Sequence, residues 1–186
     1  MAGSFAPGRK STTALKDADF WATSPKQFND AQALYGRLFM WDVCAEPQTA
    51  KCANYYSPVH GEDALEIDWH RDWWCNPPFS RKVEFIQHGL LQASEGRPGM
   101  MLLPYEPLAQ WWQDNLSDNV VVYEPNGRYN FAERDGVTMK TGVNFGTALV
   151  LMGGFHLGPS VRVTYNRGIG EIWLAARAAE ELNELI

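Results

Sequence analysis

The chain has 186 residues, enough for one packed domain with a sizeable core and too few for two ordinary ones. Hydrophobic residues at 45% and charged residues at 20% exclude extensive disorder, collagen-like repeats and a coiled coil, while 13% aromatics, with eight Trp, are unusual. The net charge of −6, from 16 Lys and Arg against 22 Asp and Glu, argues against holding nucleic acid by bulk electrostatics, but leaves room for a local basic groove.

Residues 1–19, rich in Gly, Ser, Thr and basic side chains, read as a flexible arm, with residues 20–186 as one domain. A first helix follows Trp21. Thr23 or Ser24 caps it, Pro25 suits its first turn, Phe28, Ala31 and Tyr35 share a face, and Gly36 stops it. Leu38 to Cys44 reads as a short buried strand, followed by a polar, turn-rich stretch. Ala64 to Asp68 and Asp72 to Cys75 frame a strand that Asn76-Pro77-Pro78-Phe79 must end, because two prolines supply no ladder hydrogen bonds. Ser80 then caps a helix carrying Val83, Ile86, Leu90 and Ala93 on one face.

Met100 to Leu103 is a third apolar strand, Glu106 to Leu116 a helix with Leu108, Trp112 and Leu116 aligned, and Val120 to Tyr123 a further strand. Residues 125–146 hold several glycines and no long apolar run, which predicts a hairpin or mobile loop. Thr147 to Met152 and Val161 to Tyr165 are two more strands. Glu171 to Ile186 closes the chain as a helix with Ile172, Ala175, Ala179 and Leu182 inward. The strand, helix, strand alternation predicts an α/β fold, a mostly parallel sheet with flanking helices.

No apolar run approaches the roughly 18 residues of a membrane helix, and the N-terminus lacks the apolar centre of a secretory signal, so the expected location is the cytoplasm. Cys44, Cys52 and Cys75 are an odd set without CxxC spacing, which fits reduced thiols. Zinc held by these cysteines with His60 and His70 is disfavoured for the same reason, and no metal is expected. Gly168-Ile-Gly170 reads as a turn, not a phosphate loop, and Trp111-Trp112 as core plus half-exposed surface.

The segment with most chemistry in it is Asn76-Pro77-Pro78-Phe79. An Asn-Pro-Pro-aromatic tetrapeptide arises by chance in a chain of this length on the order of once in a thousand. The plain alternative is a proline-rich turn, yet this turn stands outside the carboxyl end of a strand, where α/β folds place ligands. An aromatic amino group such as adenine N6 is a poor nucleophile because its lone pair is delocalised into the ring. Two acceptors on its hydrogens favour the pyramidal form reached in the transition state. The Asn76 side-chain oxygen and the Pro77 carbonyl are the candidate acceptors, the prolines fix the backbone, and Phe79 is placed to stack on the ring. Alignment with an electrophilic methyl group then supplies much of the rate, without a covalent intermediate.

Trp74-Cys-Asn-Pro-Pro-Phe-Ser80, preceded by Trp41-Asp-Val-Cys-Ala-Glu46 and Ala50-Lys-Cys-Ala-Asn-Tyr-Tyr-Ser57, resembles the small phage-type DNA N6-adenine methyltransferases over roughly residues 20–152. The resemblance implies a Rossmann-like fold, S-adenosylmethionine as methyl donor, and DNA as partner. It also implies a phage role such as protecting DNA from restriction. Carried over residue by residue, it makes Asn76, Pro77, Pro78 and Phe79 the catalytic set. Trp21-Ala-Thr-Ser-Pro25 is similar to a cofactor motif, with Thr23 the contact although Ser24 intervenes before the proline. Asp42 would face the donor's ammonium or sulfonium end, with Cys44, Ala45 and Glu46 lining its pocket and Glu46 assigned to the ribose. Asp68 resembles the acid that contacts the donor's adenine. Arg128-Tyr-Asn-Phe131 resembles a Gly-Arg-x-x-Phe stretch, so Arg128 and Phe131 are candidate DNA contacts, with Tyr129 or Phe131 packing against an extruded base. Arg81 and Lys82 after the tetrad, and Arg9 and Lys10 in the arm, can meet phosphates.

Cytosine N4, an RNA base or a protein glutamine remain alternative acceptors, since each presents a planar amino or amide nitrogen. A noncatalytic module on the same fold and an unrelated Trp-rich ligand-binding protein are the competing classes. The recognised DNA sequence stays open, and so does the oligomeric state, monomer or weak dimer.

Overall fold

A computed structural model describes residues 19–140 and 143–184. The arm predicted for residues 1–19, with Arg9 and Lys10, therefore lies outside the described residues apart from Asp19. In chain order the elements are α1 (Pro25–Tyr35), β1 (Trp41–Asp42), β2 (Asn54–Tyr55), β3 (Trp73–Cys75), α2 (Lys82–Ser94), β4 (Gly99–Pro104), α3 (Gln110–Leu116), β5 (Val121–Pro125), β6 (Thr147–Met152), β7 (Val161–Tyr165) and α4 (Ile169–Glu184).

The seven strands form one sheet in the order β2-β1-β3-β4-β6-β5-β7. Only β6 runs against its neighbours; every other pairing is parallel. The sheet is thus mostly parallel and flanked by helices, consistent with a Rossmann-like methyltransferase fold. No helix among the described residues is long and apolar enough to cross a membrane.

Period-two alternation splits the core between the two faces. Trp73, Met101 and Leu103 point toward the face covered by Phe85 and Ile86 of α2 and Trp112 of α3. Trp74, Met100 and Leu102 point to the other, against Phe28 and Ala31 of α1 and Phe131. Because both faces are covered, the central strands are apolar at every position and do not alternate in burial. Much of the high Trp content goes here: Trp69, Trp73 and Trp74 are wholly buried, each bringing about 4 kcal/mol of transfer free energy. The indole N–H groups of Trp69 and Trp73 donate to the carbonyls of Ala64 (2.7 Å) and Arg97 (2.9 Å), so burial leaves neither unpaired. Opposite Trp73 in the ladder stands Gly99, where any Cβ would collide with the indole ring.

Helix α1 follows its sequence signals. The Ser24 hydroxyl accepts from the Gln27 N–H, Pro25 opens the first turn, and Gly36 closes the last in the left-handed conformation (φ 81°). Elsewhere the structure corrects the sequence. The strand expected from Leu38 forms a ladder only at Trp41 and Asp42, since Leu38 and Met40 face solvent. Residues 64–68 are turns rather than strand. Ser80 does not cap α2, whose cap position is Arg81 without a side-chain bond. Leu108 precedes α3 and is 94% exposed, so the apolar face starts at Trp112.

The largest correction concerns α4. Ile172 is 73% exposed, Leu182 60%, and Ala175 and Ala179 are exposed too. The helix is anchored chiefly through its N-terminus, where Gly170 lies directly on the Asn29 and Asp30 backbone of α1. A residue with a Cβ could not make that approach. The buried Asp30 carboxylate accepts from the N–H groups of Gly168 (2.8 Å) and Gly170 (2.7 Å) and from the Tyr129 hydroxyl. It thereby caps α4 and ties the segment after β5 to α1.

Candidate active site

The carboxyl ends of β1 and β3 open into a pocket of about 140 Å³. Thr23, Asp42, Cys44, Ala45, Glu46, Asn76 and Pro78 all line it, so the structure brings together seven of the residues singled out in the sequence. The reason is topological. β1 and β3 are parallel neighbours, with Asp42 paired to Trp74, and the chain leaves both strands on the same side. Val43 extends the pairing by donating to the Trp74 carbonyl (2.9 Å), which brings the 42–46 turn level with the tetrad.

Asp42 is buried at the pocket wall. Its carboxylate accepts the backbone N–H of Cys44 (3.3 Å) and of Lys51 (3.0 Å), folding the 44–51 loop back onto β1. Burial pushes its pKa up to about 6, and the two N–H donors and the Lys51 charge only partly offset that rise. A buried carboxyl at a pocket wall whose charge is only partly compensated is suited to a cation. Cys75, buried beside Cys44, has its thiol pushed well up by burial and is held as a neutral apolar side chain.

Asn76 has the most specific geometry. Its side-chain N–H donates to the Trp21 carbonyl at 2.8 Å, which fixes the orientation of the amide. The other end, Oδ1, is buried and accepts no hydrogen bond among the described residues. A buried amide oxygen without a partner costs on the order of 1–3 kcal/mol, and on a pocket-lining residue it is a candidate acceptor for an incoming donor. Asp19 braces the same corner, its carboxylate accepting the Ser80 N–H at 2.9 Å.

The profile of the DNA N-6-adenine-methyltransferase (Dam) family matches residues 10–167, most of the chain. The chain belongs to this family. It is similar to the DNA N-6-adenine-methyltransferase of Haemophilus phage HP1 (strain HP1c1), with 29% identity over 129 residues, which cover 68% of this chain and 73% of that protein. It is also similar to the DNA N-6-adenine-methyltransferase of Escherichia phage T1, with 26% identity over 98 residues, covering 52% of this chain and 40% of the T1 protein. No solved structure matches. The reaction is methylation of adenine N6 in DNA.

In this methyltransferase, several residues named from sequence lie away from the pocket. Asp68 is the clear correction. The chain from Ala64 to Asp72 runs along α2, with Trp69 N–H donating to Gln92 (2.9 Å), and returns to the amino end of β3. Asp68 is therefore at the opposite end of the strand from Asn76. Its side chain is 82% exposed and pairs with Arg97 at 3.4 Å. Two carboxylates that the sequence does not single out, Glu62 and Asp63, stand nearer the pocket. They line a second cavity of about 200 Å³ that shares Cys44, Pro58 and Pro78 with the first, making one elongated cleft. The signal was present in Gly61-Glu62-Asp63, a polar turn after β2, but nearness to β3 in sequence favoured Asp68.

Phe131 is wholly buried, packed against Trp21 (5.6 Å between ring centres), Phe145 (6.0 Å) and, edge-on, Phe79 (6.2 Å). It cannot meet DNA from that position and instead supports the floor beneath Asn76. Phe79 is also mostly buried, and Pro77 is buried behind Pro78. Tyr129 is buried too, its hydroxyl committed to Asp30 and 3.1 Å from that of Tyr165. Glu46 lines the pocket, but both its oxygens are held by Arg134 (2.9 and 2.5 Å), whose guanidinium also stacks on Phe20 (4.4 Å). Arg81 is exposed and paired with Glu84 at 2.7 Å. Lys82 donates to the Phe79 carbonyl (3.2 Å) and sits over the Trp111 ring (4.9 Å). Arg128 is exposed at a separate groove.

Proposed function

We propose that the methyl donor is S-adenosylmethionine, held in the cleft between the β1 and β3 loops, and that Asn76 with the Pro77 carbonyl positions the adenine amino group. The observation that carries this reading is the buried, unpartnered Oδ1 of Asn76, a pocket-lining residue whose amide is oriented by the bond from its nitrogen to the Trp21 carbonyl. The lining fits the donor chemically. Asp19 and Asp42 suit its sulfonium and ammonium groups, Lys51 suits its carboxylate, and Glu62 and Asp63 in the adjoining cavity offer acceptors for ribose hydroxyls or the adenine amino group. In this reading one of these two acids takes the role expected of Asp68.

S-Adenosylmethionine supplies a methyl group made electrophilic by its sulfonium. The chain's own part is to hold the nucleophile. An adenine swung out of the duplex places its amino hydrogens on Asn76 Oδ1 and the Pro77 carbonyl, which draws the nitrogen lone pair out of conjugation. The prolines hold these acceptors without rearrangement, so they cost no reorganisation as positive charge develops on N6. The aromatic layer of Trp21, Phe79, Phe131 and Phe145 forms a rigid floor below them. One proton then leaves N6 for solvent.

Mass spectrometry of adenine-containing DNA incubated with the protein and donor tests the reading. N6-methyladenine should form with wild type and be lost with Asn76→Ala, while calorimetry shows S-adenosylmethionine still bound. Absence of donor binding by wild type would overturn the donor assignment; methyl transfer by Asn76→Ala at the wild-type rate would overturn the role of Asn76.

A further inference from the structure

We propose that the shallow groove walled by Lys26, Arg128 and Arg167 is the track for DNA phosphates flanking the target adenine. The claim rests on the reading of DNA as the methyl acceptor and adds where the backbone runs. Thirteen Lys and Arg lie among the described residues, and eight are engaged by carboxylates: Arg37, Arg71, Arg81, Arg97, Arg134, Lys140, Arg162 and Arg177. Of the five others, Lys51 lines the donor cleft and Lys82 is held against the tetrad loop. The remaining three all line one groove of about 550 Å³. In a chain of net charge −6, that grouping leaves, among the described residues, one place where a polyanion is met without a competing ion pair.

The groove is built and not simply exposed. Arg167 donates to the Asn126 side-chain oxygen (3.3 Å) and to the Arg128 carbonyl, and lies over the Tyr129 ring at 5.6 Å. It rests directly on Gly127, where a Cβ would strike the guanidinium. Lys26 lies across Gly168, within 3.5 Å of where a Cβ would stand there. Asn130 adds an exposed amide. Two carboxylates act against the cations. Glu171 stands at the rim, and Asp30 is buried below Tyr129 with its oxygens already taken by that hydroxyl and two backbone N–H groups. Three cations against one accessible acid keep the surface basic.

Position links the groove to catalysis. Thr23 lines the donor pocket and its neighbour Ser24 lines the groove, so the turn that enters α1 borders both concavities. A strand lying on the three cations is thereby set on the other side of that turn from the pocket that Asn76 lines, where phosphate contacts can fix its register.

The test is binding of a short adenine-containing duplex to the full chain across a salt series. Each cation that meets a phosphate contributes about 0.9 to the slope of log K against log salt. The triple variant Lys26→Gln, Arg128→Gln, Arg167→Gln should flatten that slope by about 2 to 3, with S-adenosylmethionine binding retained, whereas Arg177→Gln on the far part of α4 should leave it unchanged. A triple variant with the wild-type slope overturns the groove. If the triple variant does not fold, Lys26→Gln decides, because Lys26 makes no hydrogen bond or ion pair among the described residues; it should lower the slope by about 1, and an unchanged slope refutes the claim. Failure of wild type to make N6-methyladenine would strike the catalytic reading alone, while an unchanged slope with methylation intact would strike the groove alone.

Discussion

Ladders β1–β2 and β1–β3 hold two residue pairs each, whereas β4–β6 holds six and β5–β7 five. The active site lies on the half with the fewest sheet hydrogen bonds. There the chain leaves the ladder almost as soon as it enters, and its backbone groups are taken up by side chains: the Asp42 carboxylate accepts two N–H groups of its own loop, and the Asn76 amide donates to the Trp21 carbonyl. On the long-ladder half the backbone satisfies itself, and the outer strand β7 and helix α4 carry exposed Val161, Val163 and Ile172. Long ladders thus give strands with nothing left over for a ligand, and what can bind on that half, as at the Lys26, Arg128 and Arg167 groove, is carried by the segments beyond β5 and β7 and by the start of α1. Short ladders give loops whose conformation depends on a few buried polar groups, which are the groups a ligand can also use.

The sharpest way to break that comparison is at Asn76. Asn76→Ala removes the unpartnered acceptor and should lower methyl transfer by about 10²–10³-fold, the scale for losing one positioned electrostatic group. Because Asn76 also holds the Trp21 carbonyl, Asn76→Asp is the companion variant. It keeps an acceptor but loses the N–H that orients it, and single-turnover kinetics should show it impaired as well. Equal rates for Asp and wild type would mean the Trp21 bond does no positioning.

On the other half the corresponding weak point is Asp30, the buried carboxylate that joins α1, α4 and Tyr129. Asp30→Ala leaves two backbone N–H groups and a buried hydroxyl without an acceptor and should cost on the order of 3 kcal/mol in urea unfolding. Donor affinity of the remaining folded protein should change little, since Asp30 does not line the donor cleft. A loss of donor binding larger than the loss of stability would show that the halves are not independent.

These two residues also mark what the sequence made readable. The tetrad and Asp42 were legible because a rare tetrapeptide and an acid at a strand end restrict the backbone locally, and parallel pairing of β1 with β3 follows from the alternation of elements. Strands β6 and β7 have the bounds expected because each is a short run with β-branched residues, closed on both sides by turn residues. Asp30 was not legible. It sits on α1 and looks like a solvated helix acid, and its partners stand near positions 129 and 168–170, a relation only the tertiary fold creates. The same limit misplaced Asp68, since no local signal says that residues 64–72 turn back toward the amino end of β3. For α4, helical spacing of Ile172, Ala175, Ala179 and Leu182 gave a correct helix and a wrong inward face, because periodicity does not reveal whether anything lies opposite.

A smaller effect separates the roles of Asp42. Its folded pKa of about 6, raised from 3.8 by burial, means the donor-free protein takes up a proton on folding between those values. This group's contribution to stability therefore rises as pH falls from about 6 toward 3.8. A cationic donor favours the ionised form and pulls the pKa down, so donor affinity should move the opposite way, holding above about pH 6 and weakening up to tenfold per unit below it. Calorimetry across pH 5 to 8 checks this. Asp42→Asn should bind more weakly and without the pH dependence; a wild-type profile flat through pH 6 would place the positive end of the donor elsewhere.

The smallest expected change tests the exposed half directly. Ile172→Ser sits on α4 with 73% of the residue in solvent, so it should alter unfolding free energy by less than about 0.5 kcal/mol at dilute protein. An inward Ile at the same place would cost several times more, on the scale of a buried aliphatic side chain. The Gly170 crossing supplies the contrast on the same helix. Gly170→Ala puts a methyl group into the α1 backbone and should destabilise by 1–3 kcal/mol, the scale of overpacking a well-packed contact. If Ile172→Ser proved as costly as Gly170→Ala, and the cost grew with protein concentration, the face would be covered by a second copy of the chain. If it did not vary with concentration, the α4 packing would have to be redrawn with Ile172 against the sheet.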